Sequence, residues 1–418
     1  MLYRNKMNTQ INFPVAWVRG QFPALKRIYK DKPVVYFDGP GGSQFVAGAI
    51  HAVNDYMMRG AANLHGHFPT SRETEAMIAK TKEDILTLFN AHDSAVAFGP
   101  NASTMMFHTS RALARQWNPG DEIILTELDH HANIDSWRTA AADKNVTVKY
   151  IPLNTKSLTL ELEALPELIT PKTRLVAIGM ASNCIGTITD VKAVSVLAKK
   201  VGALVVVDAV HAIPHMYVDM QELGIDMLFS SAYKFFAAHV GMAVIRKEAF
   251  ERLCVYKVIP APDTIPDRLE IGTQSHEGIS AISAAIGFIA GLGSGNTLKE
   301  RIISGYKAIE EYENTLAEMI RREMSKIKGI TLYQADDHVP KTPTIAFGAQ
   351  GILPRDFCMC MCEEYSVFIA EGDFYARTLA EKLGIRERGS FIRAGMAPYN
   401  TMEEVQRFLK GVHDIMGG

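Results

Sequence analysis

Val205-Val206-Val207-Asp208-Ala209-Val210-His211 is an apolar, β-branched run that ends in a carboxylate. Such residues favour a buried strand, with the acid at its C-terminal tip. A second run, Met227-Leu228-Phe229-Ser230-Ser231-Ala232-Tyr233-Lys234-Phe235-Phe236, brings Ser231, Tyr233 and Lys234 together at its own tip. Asp first, then Ser-x-x-Lys, matches what pyridoxal 5′-phosphate needs from a protein. The carboxylate keeps the pyridine nitrogen protonated, the serine holds phosphate, and the lysine forms the Schiff base. Lys234 lies among apolar and aromatic neighbours, and burial lowers an amine's pKa, as that role requires.

Outward from this pair the same pattern recurs. Ala95-Val96-Ala97-Phe98, Glu122-Ile123-Ile124-Leu125, Val146-Thr147-Val148-Lys149-Tyr150, Leu175-Val176-Ala177-Ile178 and Met242-Ala243-Val244-Ile245 are strand-like and alternate with helix-like segments. That alternation predicts an α/β domain with a mainly parallel sheet. Runs that are apolar throughout suit strands covered on both faces.

Several strand ends carry polar residues. Gly99-Pro100-Asn101-Ala102-Ser103-Thr104 opens a helix, where free N–H groups and the Ser103 hydroxyl suit a phosphate. His130, in Glu127-Leu128-Asp129-His130-His131, is placed to stack on a flat ring. A metal is not expected there, because no third ligand has matching spacing. Asn183 follows the Leu175–Ile178 strand and is placed to hydrogen-bond a phenolic oxygen. Each feature alone has an ordinary explanation, such as a turn, a surface His or a helix cap. Together they converge, because tips of parallel strands share one crevice. Arg393, in the apolar run Ser390-Phe391-Ile392-Arg393-Ala394-Gly395, is a candidate clamp for an α-amino acid carboxylate.

The chain has 418 residues, 47% of them apolar, enough for a large core. Basic and acidic residues number 44 and 46. This balance argues against nucleic acid or an anionic membrane as partner. No apolar run has spanning length, and the N-terminus lacks a signal peptide's apolar stretch. The expected location is cytoplasmic, which the few, unpatterned cysteines suit. Residues 1–33 read as an N-terminal arm packing with a small domain. Residues 34–293 read as the large cofactor-binding domain and 294–418 as a small C-terminal α+β domain. A long helix from about Leu298 to Lys326 can bridge the two.

These residues resemble the class V aminotransferase superfamily, and within it the cysteine desulfurase and selenocysteine lyase branch. The resemblance runs from Tyr36-Phe37-Asp38 to Tyr399-Asn400-Thr401-Met402-Glu403-Glu404-Val405. It implies the pyridoxal phosphate fold type I, with a mainly parallel seven-stranded-type sheet plus the small α+β domain. It also implies a homodimer with sites at the interface. Lys234, His130 and Asp208 take the catalytic roles. Phosphate falls to Ala102, Ser103 and Ser231, with Thr273 reaching the other subunit's phosphate. Arg393 takes the substrate carboxylate, with Asn183 near it. Asn63-Leu64-His65 matches a segment near the substrate pocket.

Three positions depart from the branch. His211 stands where Gln is usual, and it can still donate to the cofactor's phenolic oxygen. Tyr233 stands where His is usual, and its phenol can still reach phosphate. Desulfurases carry a nucleophilic Cys on a loop, but here the loop reads Ala370-Glu371-Gly372-Asp373-Phe374-Tyr375-Ala376. A Tyr375 phenol cannot take sulfur as a persulfide. Cys358, Cys360 and Cys362 lie upstream on a predicted helix, where packing is their expected role. The expected reaction is therefore C–S lysis by β-elimination on an α-amino acid. Transamination, epimerisation and desulfuration through another thiol remain open, and a non-enzymatic scaffold is the reading from another class.

Overall fold

A computed structural model describes residues 13–417 of the chain. Seven strands form the large sheet: β1 Ser94–Gly99, β2 Glu122–Thr126, β3 Thr147–Ile151, β4 Thr173–Gly179, β5 Leu204–Asp208, β6 Met227–Ser231 and β7 Gly241–Arg246. Their spatial order is β1-β7-β6-β5-β4-β2-β3. The β6–β5, β5–β4, β4–β2 and β2–β3 pairs are parallel, and β7 runs antiparallel to both β6 and β1. Six strands therefore end at one edge, and only β7 starts there.

Alternation along each strand feeds two cores. Val205 and Val207 of β5 enter one, and Leu204 and Val206 enter the other. Val176 and Ile178 against Leu175 and Ala177 repeat this on β4. Covering both faces is what allows these strands to be apolar throughout. The edge strand β3 differs from that expectation: Thr147 is exposed, and Lys149 Nζ pairs with Glu122 Oε2 at 2.7 Å. Only one neighbour covers it, so it carries polar groups to solvent.

A second, antiparallel sheet has the order β8-β9-β11-β10, from β8 Ile330–Tyr333, β9 Thr344–Ala349, β10 Ala370–Gly372 and β11 Phe391–Gly395. A third core unites it with three helices, α5 Leu298–Met324, α6 Pro354–Tyr365 and α7 Met402–Ile415. The short strand Val35–Tyr36 pairs with Val367–Phe368, and Val35 and Phe37 sit in this third core. By packing, that segment goes with the C-terminal unit, although it precedes the large sheet in sequence.

The long helix α5 starts at a Thr297/Glu300 capping box. Its Ile302, Tyr306 and Ile309 pack in a core of the large sheet, while Leu316, Ile320 and Met324 pack in the third. The described part of the arm spans both units. Trp17 stacks on Phe288, and Arg19 reaches Glu404 at 2.8 Å and the Tyr399 carbonyl at 2.6 Å. The remainder of the arm, 1–12, lies outside the described residues. Among the described residues, no helix is long and apolar enough to cross a membrane.

Candidate active site

The strand edge builds a cavity of about 280 Å³. At the tip of β1, Asn101 caps helix α2 (Ala102–Ala114) by accepting the Thr104 N–H at 2.8 Å. The Ala102 N–H donates to Ser231 Oγ at 3.0 Å, which joins the tip of β6 to the helix start. Gly241, opening β7, makes this approach possible: a Cβ there would lie 2.2 Å from the Asn101 carbonyl carbon. The result is a helix N-terminus with Ser103 and Ser231 beside it, a ready anion site.

The tip of β2 supplies His130. Its Nδ1 accepts the Ala132 N–H at 3.0 Å, and burial, then Lys234, lowers its pKa to about 4. A neutral ring results, fitted to stack rather than to exchange protons. Behind it, Asp129 is buried and accepts from Gly179 N–H at 2.7 Å and Asn133 Nδ2 at 3.0 Å. Burial raises Asp129 to about 6.

Asp208 closes β5. Its Oδ1 accepts the Val210 N–H at 2.9 Å, and burial raises its pKa to about 7. Lys234 follows β6, with Nζ donating to the Gly41 carbonyl at 3.0 Å and to the Pro40 carbonyl. Burial, then Arg393, lowers it to about 8. His211 and Tyr233 also line the cavity.

The C-terminal unit covers the opposite side. Arg393 on β11 is buried, donates to the Asn183 carbonyl at 2.8 Å and lies 3.5 Å from Asp38. Its guanidinium lies 3.6 Å from the Phe374 ring centre. Asn183 Nδ2 donates to the Phe374 carbonyl at 2.8 Å, and Tyr375 stacks on His130 at 5.2 Å. Phe374 and Tyr375 hold φ of 52° and 59°, rare for bulky residues. The 373–376 loop after β10 is thus laid over both the cation and the stacking ring.

Eleven of the thirteen residues singled out from sequence line this cavity; His65 and Thr273 do not. His65 is exposed and pairs with Glu75 at 3.2 Å, and Thr273 is also exposed. Neither reaches the cavity of its own chain. Sequence reasoning missed Asp38, Asp129 and Phe374. Asp38 had a signal, since it ends a short strand before Gly39-Pro40-Gly41-Gly42. The other two are recognisable only by where the fold puts them.

The donors fit pyridoxal phosphate. A buried carboxylate near neutrality suits a protonated ring nitrogen, a lowered amine suits an aldehyde, and the α2 terminus suits phosphate. Three buried polar atoms of lining residues have no protein partner: His211 Nδ1, Asn183 Oδ1 and Arg393 Nε. Such atoms call for a ligand.

Comparison with known proteins agrees. The family model "Aminotransferase class-V" matches residues 35–408. The chain belongs to the class V aminotransferases. Within this family it is 29% identical over 415 residues to the aminotransferase-like protein FGM3 of Gibberella zeae, covering 97% of this chain and 99% of the other. It is 28% identical over 421 residues to a cysteine desulfurase of Yersinia pestis, with the same coverage. Among solved structures, the cysteine desulfurase CsdA of Escherichia coli aligns with a TM-score of 0.82 at 25% identity, over 97% of this chain and 98% of that one. The cysteine desulfurase of Thermococcus onnurineus shares the fold, with a TM-score of 0.86 at 24% identity over the same shares. Class V aminotransferases use pyridoxal phosphate, and this chain is an enzyme of that kind.

Proposed function

We propose that this class V enzyme is a C–S lyase: it eliminates a sulfur leaving group from Cβ of an α-amino acid and uses no persulfide cysteine. One observation carries this reading. Tyr375 and Phe374 occupy the loop at the cavity, and none of the five cysteines lines it. Burial pushes the thiol of Cys358 up to about 12 and raises those of Cys360 and Cys362, so none is activated.

Pyridoxal phosphate, when bound, supplies an electrophilic carbon for the substrate amine and a sink for the electron pair at Cα. Lys234 holds its aldehyde, Asp208 its ring nitrogen, His130 its face, and Ser103 and Ser231 its phosphate. Arg393 orients the substrate by its carboxylate, which takes the place of Asp38, 3.5 Å from the guanidinium. Lys234, once free, takes the α-proton. The Cβ–S bond then breaks with its electron pair leaving on sulfur. Lys234 gives its proton to the departing sulfur, which leaves at its own oxidation level: a thiol from an S-conjugate, a hydropersulfide from cystine or a sulfenic acid from a sulfoxide. Water hydrolyses the remaining aminoacrylate to pyruvate and ammonium. Phe374 and Tyr375 exclude bulk water from the carboxylate clamp and form the aromatic wall for the leaving group.

Transamination shares the first steps, and the likeness to the Gibberella zeae protein favours it as the second reading. The purified protein, loaded with pyridoxal phosphate, is offered cystine, S-conjugates of cysteine and cysteine sulfoxides, and pyruvate is measured. Pyruvate from one of them supports the lyase. A panel that yields none, with the cofactor converted to its amine form, favours the transaminase.

We further propose a homodimer, in which Thr273 and His65 serve the partner's cavity. Supporting this, both are exposed and away from their own cavity. Exposed apolar side chains lie near them in sequence: Met57 and Met58 on helix α1 (Ala47–Arg59), Phe68, and Val258, Ile259 and Ile271 in the segment before Thr273. A cytoplasmic setting suits five cysteines free of disulfides.

A further inference from the structure

One buried acid has no part in holding the cofactor. Glu313, on α5, is wholly buried, and its Oε2 lies 2.8 Å from His215 Nδ1. Glu313 Oε1 and His215 Nε2 are buried with no partner. Replacing a buried ionisable pair by well-packed apolar side chains is often neutral or stabilising, so such a pair is weak evidence of a stabilising role. Its presence next to a cofactor site points to a use.

His215 meets His211 edge-on, with ring centres 5.5 Å apart at 69°. His211 Nε2 lies 3.1 Å from Thr342 Oγ1 and 3.0 Å from Thr344 Oγ1, and the two hydroxyls lie 3.1 Å from each other. A hydroxyl can donate or accept by rotating. The threonines therefore fix the ring yet allow either tautomer. His211 Nδ1 has no partner, and the ring lines the cavity with Asp208 and Lys234. Burial holds His211 neutral. The charge distribution behind it then acts on the cavity through a polarisable ring.

We propose that Glu313 and His215 are positioning residues for the cofactor: their shared proton makes a dipole whose positive, imidazole end backs His211, and this lowers the proton affinity of the cofactor's imine and phenolic oxygen. The inference rests on the pyridoxal phosphate assignment of the cavity. The dipole is that of the ion pair, with the negative charge on the Glu313 carboxylate and the proton on the imidazole. Burial pushes the Glu313 carboxyl up to about 7, and His215 beside it acts in the opposite direction. Glu310 on α5 and Lys341 ahead of β9 lie beside the pair, and Lys234 and Arg393 act on His211 from across the cavity. All four persist when Glu313 is changed, so a difference measurement isolates the pair.

The experiment is a pH titration of the visible absorption of the pyridoxal phosphate-loaded protein, comparing wild type with Glu313→Gln. A second variant, His215→Phe with Glu313→Leu, replaces the pair by apolar groups that preserve packing. Removing opposite charges separated by the 2.8 Å contact, behind a His211 ring whose centre is 5.5 Å from that of His215, shifts the midpoint upward by about 0.3 pH unit at an effective dielectric near 20. Both variants are expected to show that upward shift, and Glu313→Asp to restore most of the wild-type value. A lower melting temperature with an unmoved midpoint in the loaded variants means a merely structural pair and overturns the proposal. A wild-type protein that takes up no pyridoxal phosphate overturns the cofactor assignment itself, and the inference with it.

Discussion

Replacing Asp208 by Asn should move two properties of the protein in opposite directions. Asp208 is buried at the end of β5, and burial raises its pKa from 3.8 to about 7. A carboxyl raised in the folded state resists ionisation there. The unfolded chain, with the ordinary value, releases its proton more easily, so folding stability falls as pH rises from about 4 to about 7 and is level above that. Roughly three pKa units correspond to at most about 4 kcal/mol lost at pH 8 in the cofactor-free protein. The substituted amide would keep the shape and the Val210 contact without the charge. Cofactor-free Asp208→Asn should therefore melt several degrees higher than wild type at pH 8, and nearly level with it at about pH 4 or just below. Loaded with pyridoxal phosphate the order reverses, because the protonated ring loses its counter-ion. Differential scanning fluorimetry of stripped and loaded protein at the two pH values reads both effects. A stripped variant less stable than wild type at pH 8, or a gain equal at both pH values, refutes the burial argument.

Other outcomes follow from the same site. Lys234→Ala should abolish the cofactor's lysine-bound absorption and reduce turnover by about 10²–10⁴-fold or more, checked by spectrum and steady-state rate. In the stripped protein, the rate of cofactor uptake should rise with pH through about 8, since burial lowers Lys234 to that value, rather than climbing to an ordinary lysine's range near 10. Arg393→Lys should raise KM about 10- to 100-fold with a smaller change in kcat, because a point charge replaces a two-pronged donor. Mixing inactive His65→Ala and Lys234→Ala chains should regain activity if cavities are shared between subunits. Activity no greater than either parent, with mixed dimers present, counts against that arrangement.

Much of this site was legible because its parts sit where a simple rule looks for them. Asp208, Lys234, His130 and Ser103 each follow an apolar run, and parallel strands bring their tips to one edge. The large sheet was equally plain, except at β3, whose partial exposure follows from a place at the edge that spacing does not encode. Phe374 was hidden because its role arises from a contact with Arg393, which only the pairing of β10 with β11 brings beside it. Thr342 and Thr344 carry no local signal; only the pairing of β9 with β11 and the fall of the chain at Gly186 set them against His211. Val35 and Phe37 show the same limit, since position in the chain assigns them to one unit and packing to another.

The bridging helix α5 sits in two cores at once, and this has a consequence for how substrate range can change. The groups proposed to retain the cofactor hang from the large sheet, whereas Arg393, proposed to meet the substrate, stands on β11 between Ile392 and Ala394 of the third core. Substitutions among Leu316, Ile320, Phe347 or Phe408 can therefore tilt the clamp relative to the lysine without loosening the cofactor. A rod about 40 Å long, at 1.5 Å per residue, converts a small repacking at one end into a shift of reach at the other. Selection acting on the C-terminal unit alone is then sufficient to redirect the enzyme toward a different side chain, while the chemistry at Lys234 stays as it is.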